Sequence, residues 1–186
     1  VQQLRAAGSE TVVRLITELG REAATILMLA AVALAVARTF QEWAAAFLIA
    51  FGVWDISFYV FLKVLIHWPT SLLTWDLLFL IPVPWVSPVI APVIVSLSMI
   101  GCGLVALRRP IRIQAWHWSA ILLGGLIVVV SFTLDHQNTT AGKMPGPFNW
   151  TVFLAGELLG LAGFGFAALS GAALPGSRGS QKPRDS

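Results

Sequence analysis

"FGVWDISFYVFLK", residues 51–63, decides the fold. It lies inside an apolar run from Trp43 to Ile66. As a helix this run rises about 36 Å, enough to cross a hydrocarbon core of ~30 Å. Asp55 then falls near mid-membrane, where a carboxylate costs about 2.5–3.5 kcal/mol to insert. Its side chain must therefore face protein or enclosed water rather than lipid. Steps of four residues carry the same helix face through Tyr59, Lys63 and His67, a polar track that ends beside Trp68 at the membrane boundary.

The rest of the chain agrees. Of 186 residues, 57% are hydrophobic and 11% charged, whereas soluble domains carry about 25% charged residues. The mean hydropathy is +0.81. Further apolar runs cover about 11–38, 85–107, 116–134 and 149–173. The expected fold is an all-α integral membrane protein, a bundle of five transmembrane helices forming one polytopic domain over 1–174. The first run grows out of the amphipathic stretch "SETVVRLITELGRE", residues 9–22, with Ser9 as its expected N-cap, and reads as a retained helix rather than a cleaved signal. "SLLTWDLLFLI", residues 71–81, is different: eleven helical residues rise only about 16 Å, and Pro69, Pro82 and Pro84 bracket them. We expect a re-entrant or interfacial half-helix there, with a sixth crossing as the alternative. Residues 175–186 read as a flexible polar tail.

Basic residues orient the bundle. "RRPIR" at 108–112 and Arg178, Lys182 and Arg184 in the tail place both regions in the cytoplasm. The expected location is a bacterial inner membrane, with 135–148 facing outward. The formal charge of +3 and pI near 9.6 come from these clusters at segment ends, so no nucleic-acid partner is expected. The expected partners are the lipid bilayer and either other membrane subunits or further copies of the chain.

Asp76 lies in the short segment. If that segment folds back on the second span, Asp55 and Asp76 approach each other and can share a proton, hold a cation or bridge to Lys63. The plainer readings are a hydrogen-bonded structural Asp55, a Lys63 that snorkels to headgroups, and an Asp76 in water at headgroup depth. Glu157, in the last span, either extends the acidic site or sits near headgroups. Gly156, Gly160 and Gly163 form a small-residue face for close helix contact. Trp68, Trp85, Trp116 and Trp118 read as interfacial anchors. Pro88 and Pro92 mark an ordinary helix start, or else free carbonyls for a cavity.

Cys102 is the only cysteine and reads as a small core residue. His67, His117 and His136 are the residues a haem or pigment would require as ligands; their spacing matches no metal motif, and no metal site is expected. There is no nucleotide loop, nucleophile elbow or triad spacing, so the reading leans away from an enzyme. The first functional expectation is a non-catalytic subunit or scaffold of a larger membrane complex or homo-oligomer. The alternatives are a proton or small-cation transporter or channel at Asp55 and Asp76, and a membrane enzyme acting on a lipid or quinone with Asp55, Tyr59 and Lys63 as acid and base groups.

Overall fold

A computed structural model describes residues 2–79 and 83–172, with side chains in the first helix described at residue 17 and from residue 20 onward. The tail at 175–186 and Pro82 lie outside the described residues. The elements are α1 (Gln2–Val36), α2 (Phe40–Ile66), β1 (Trp75–Phe79), β2 (Trp85–Pro88), α3 (Ile90–Arg108), α4 (Ala115–Thr133), α5 (His136–Thr140) and α6 (Trp150–Ala172). The molecule is mostly helical. Among the described residues, four stretches are long and apolar enough to cross a membrane: Phe40–Ile66, Ile90–Arg108, Ala115–Thr133 and Trp150–Gly171. These properties suit a multi-pass membrane protein.

The helices associate as two close pairs, α2 with α3 and α4 with α6, while α1 packs on α2. In lipid, helix contact depends on close backbone approach rather than on hydrophobic burial. Small residues supply that approach in both pairs. A Cβ on Gly52 would stand 2.6 Å from the Ser96 carbonyl oxygen, and one on Gly103 2.7 Å from that of Ala45. Across the second pair, a Cβ on Gly124 would stand 2.5 Å from the Gly160 nitrogen and 2.6 Å from the Gly156 oxygen. Gly163, expected to pack, faces Ala120.

Polar side chains fix the ends. Thr39 caps α2 by accepting from the Glu42 amide at 3.2 Å, and Glu42 in turn accepts from the Arg38 amide at 2.7 Å. Gln41 ties the start of α2 to the α3–α4 connection. Its amide donates to the carbonyls of Ala106 and Arg109 at 2.6 and 2.7 Å, and its oxygen accepts from the Ile111 amide at 3.0 Å. The far end of α6 reaches the same connection, since a Cβ on Gly171 would stand 2.5 Å from the Pro110 oxygen. The opposite end closes on an aromatic cluster, where buried Ala91, Val128, Phe132 and Phe153 pack with Phe148 and Trp150.

Three expectations change. The described part of the expected half-helix, residues 71–79, is not helical: Trp75–Phe79 pair antiparallel with Trp85–Pro88, so the fold is a helical bundle carrying a two-stranded hairpin rather than purely all-α. Proline is the physical cause. Val83 and Ser87 each precede a proline, which pushes them towards extended backbone, and pairing 75–79 with 85–88 then satisfies amides that a short isolated helix would leave open. The same strand takes the first residues of the expected third span, so α3 starts at Ile90 instead of 85, with Pro92 in its first turn as in an ordinary helix start. Finally, α1 runs through Ser9 from Gln2 rather than starting at Ser9.

Candidate functional site

Between the two helix pairs lies a cavity of about 610 Å³, walled by residues of every helix except α5 and roofed by the hairpin. Its surface is mainly apolar and aromatic, with Leu48, Phe51, Trp54, Phe58, Phe79, Val95, Met99, Val128, Phe132 and Phe164 among its walls. Set into this surface are Asp55, Tyr59, Asp76, Ser96, Ser98, Cys102 and Glu157, with Arg21, Glu22 and Thr25 contributed by α1.

The local geometry follows from helix and strand periods. Asp55 and Tyr59 are four residues apart on α2 and share the face that looks into the cavity. Ser96 on α3 donates its hydroxyl to Asp55 Oδ2 at 2.8 Å. Asp76 and Leu78 alternate to the cavity side of β1, while Leu77 between them is exposed. This places Asp76 over α2, where the Tyr59 hydroxyl donates to its Oδ2 at 2.8 Å. The Leu77 amide donates to the other Asp76 oxygen at 2.8 Å. Asp55 and Asp76 stand close enough for their charges to interact. Tyr59 is only 6% exposed, and so serves as the hydroxyl joining helix to hairpin.

Glu157 enters from α6. Its Oε1 is buried without a hydrogen-bond partner, as is Nε1 of Trp85, and both side chains line the cavity. Glu157 and the Cys102 thiol interact electrostatically across the α3–α6 contact. Trp85, expected at the membrane interface, is half-buried in the chamber wall, with its ring 5.2 Å from Phe79 and 6.5 Å from Phe132.

The lower half of the expected polar track has structural duties. Lys63 is exposed and donates to the Pro69 carbonyl at 2.9 Å. His67 is the left-handed C-cap of α2 (φ 58°), its amide donating to the Lys63 carbonyl. Neither is among the residues lining the cavity. Trp68 packs at 6.4 Å from the Tyr59 ring, whereas Trp116 and Trp118 are exposed at the start of α4. Gly156 and Gly160 serve the α4–α6 contact and also border the cavity.

The histidines lie apart. His117 is buried at the start of α4, where its Nδ1 accepts from the Gln114 amide at 2.9 Å. The neutral ring therefore carries its hydrogen on Nε2 and offers a haem no lone pair there. His136 holds the Thr133 carbonyl at 2.8 Å. Among the described residues no group of three or more His, Cys, Asp or Glu side chains is arranged to hold a metal ion.

No protein-family model, curated protein or solved structure matches this chain. Ser96 is a wall residue that the sequence left unassigned, and Trp85 and Cys102, read there as an interfacial anchor and a small core residue, also line the cavity. Ser96 and Ser98 were the visible signal, two hydroxyls inside an apolar span, but such residues are commonplace in membrane helices.

Proposed function

We propose that this protein is a multi-pass membrane carrier or channel in which Asp55 and Asp76 form the site for a proton or a cation. One observation carries the reading: two acids from different elements, one mid-span and one on the hairpin, line the same cavity and are linked by Tyr59. A carboxylate at that depth is costly and marks transport pathways more often than surfaces. The two hydroxyl donors, Ser96 and Tyr59, stabilise carboxylate oxygens while leaving the cavity side able to accept a proton or cation.

In this reading α1 supplies the fifth crossing, the basic 108–112 connection and the C-terminus are cytoplasmic in a bacterial inner membrane, and the hairpin lies on the outer side. Asp55→Asn in reconstituted vesicles tests it: pH-driven flux should disappear while the protein still folds and inserts. Unchanged flux refutes the proposal.

A second reading, a non-catalytic subunit or self-associating scaffold, was expected to use the glycine face of the last span. That face is occupied inside the chain by Gly124 and Ala120 of α4. What supports a scaffold is instead the wide apolar outer surface of the helices, including Leu65, Leu122 and Leu158. A monomer of about 20 kDa in mild detergent counts against it. Of the residues in the enzyme alternative, Asp55 and Tyr59 line the cavity, while Lys63 donates to the Pro69 carbonyl.

A further inference from the structure

The chamber is built for more than an inorganic ion. Its volume of about 610 Å³ falls within the range of ~300–1,000 Å³ that drug-sized ligands occupy. A bare ion and its immediate shell need only a few water volumes of ~30 Å³ each, and apolar walls of this extent do not hold water well. The cargo must therefore bring apolar bulk of its own.

The sign of its charge follows from the walls. Four carboxylates, Asp55, Asp76, Glu157 and Glu22, line the space against one guanidinium, that of Arg21. The aromatic walls point the same way. Along α2, Phe51, Trp54 and Phe58 form a ladder with successive ring centroids 5.7 and 6.3 Å apart, and all three border the cavity. Ring faces attract cations, above all bulky and weakly hydrated ones. Glu157 Oε1, buried and without a partner, is an acceptor lacking a donor, and such a group stays costly until a ligand satisfies it.

We infer that the chamber binds a lipophilic organic cation, a protonated amine or quaternary onium with apolar substituents, held between the acids of α2 and the hairpin on one side and Glu157 on the other. The inference deepens the acid-site reading above and rests on it. An anionic lipophile would be set against the carboxyl oxygens of Asp55, Asp76 and Glu157. A neutral one would gain nothing from three acids converging on the same space.

The test uses purified full-length protein in mild detergent and three probes of similar size. These are tetraphenylphosphonium, tetraphenylborate and neutral triphenylphosphine oxide, with binding read by tryptophan fluorescence and calorimetry. Saturable one-site binding is expected for the phosphonium alone. Asp55→Asn, Asp76→Asn and Glu157→Gln should each weaken it by about tenfold or more, and Glu157→Asp should recover part of the loss. Unchanged circular dichroism and melting of each variant separates this from misfolding. The comparison of the three probes on the unmodified protein needs no variant. Tetraphenylborate or the neutral probe binding as tightly as the phosphonium overturns the inference, as does phosphonium binding that survives all three acid substitutions. Proton flux that depends on Asp55, without phosphonium binding, leaves the carrier reading standing and sinks the organic cation. Selective phosphonium binding without Asp55-dependent flux does the reverse.

Discussion

Replacing Gly124 with alanine places a methyl group where α4 and α6 touch. The new Cβ would lie 2.5 Å from the Gly160 nitrogen, 2.6 Å from the Gly156 oxygen and 2.8 Å from the Gly160 Cα. Ordinary contact begins near 3.4 Å, so the helices must part locally by about 0.9 Å. All three atoms are backbone, and no rotamer change relieves the clash. Overpacking of this kind costs about 1–3 kcal/mol, and the upper part of that range applies because two rigid helices must move. Alanine recovers about 0.5–1 kcal/mol of helix propensity over glycine. The net loss should be about 1–2 kcal/mol. Gly125, the next residue, is the control: a Cβ there meets nothing within 4 Å, so Gly125→Ala should be neutral or gain up to about 1 kcal/mol. Unfolding in mixed micelles with increasing SDS, followed by tryptophan fluorescence, should separate the two variants by about 1–3 kcal/mol. Equal stability of the two refutes the packing of α4 on α6 through this face.

Other outcomes follow from single contacts. Gln41→Ala removes three hydrogen bonds between α2 and the α3–α4 connection and should cost about 1–3 kcal/mol in the same assay, with faster backbone hydrogen exchange at 109–112. Thr39→Ala removes the α2 cap and should cost about 1 kcal/mol, while Thr39→Ser keeps most of that stability. Lys63→Ala breaks only the link to the Pro69 carbonyl. It should leave flux through the acid site intact, and a loss of flux would place Lys63 in the pathway.

The helical membrane class was legible because length and apolarity alone demand it, and α2, α4 and α6 begin and end within about three residues of where their apolar runs do. The hairpin was not. Leu77 and Leu78 are good helix formers, so "WDLLFL" carries no local signal against helix. The deciding partner, residues 85–88, lies beyond the prolines, and strand pairing is a non-local property that a period within eleven residues does not report. The approach of Asp76 to the second span was one of two readings open in the sequence, the other a wet position at headgroup depth, since a carboxylate among leucines needs either a partner or water. That Tyr59 is this partner and that Ser96 serves Asp55 depends on how elements dock. Gly156 and Gly160 were readable as a spaced pair. Their counterpart Gly124 stands beside Gly125 in "LLGGLIV", where only the docked helix tells the packed glycine from the open one. Lys63 and His67 share the helical spacing of Asp55 and Tyr59, yet lie past the reach of the chamber, at the turn that sends the chain into the hairpin.

Asp55 faces α3 and the chamber rather than lipid. Disulfide trapping measures this directly, in a Cys102→Ser background, by pairing Asp55→Cys with Ser96→Cys or with its neighbour Leu97→Cys. Ser96 is 2% exposed and in contact with Asp55, whereas Leu97 is 57% exposed on the outer surface. Under copper-phenanthroline oxidation, the 55–96 pair should lose its reactivity to a maleimide-polyethylene glycol label, and the 55–97 pair should keep it. Equal or stronger protection of the 55–97 pair would turn the acid outward and contradict the chamber.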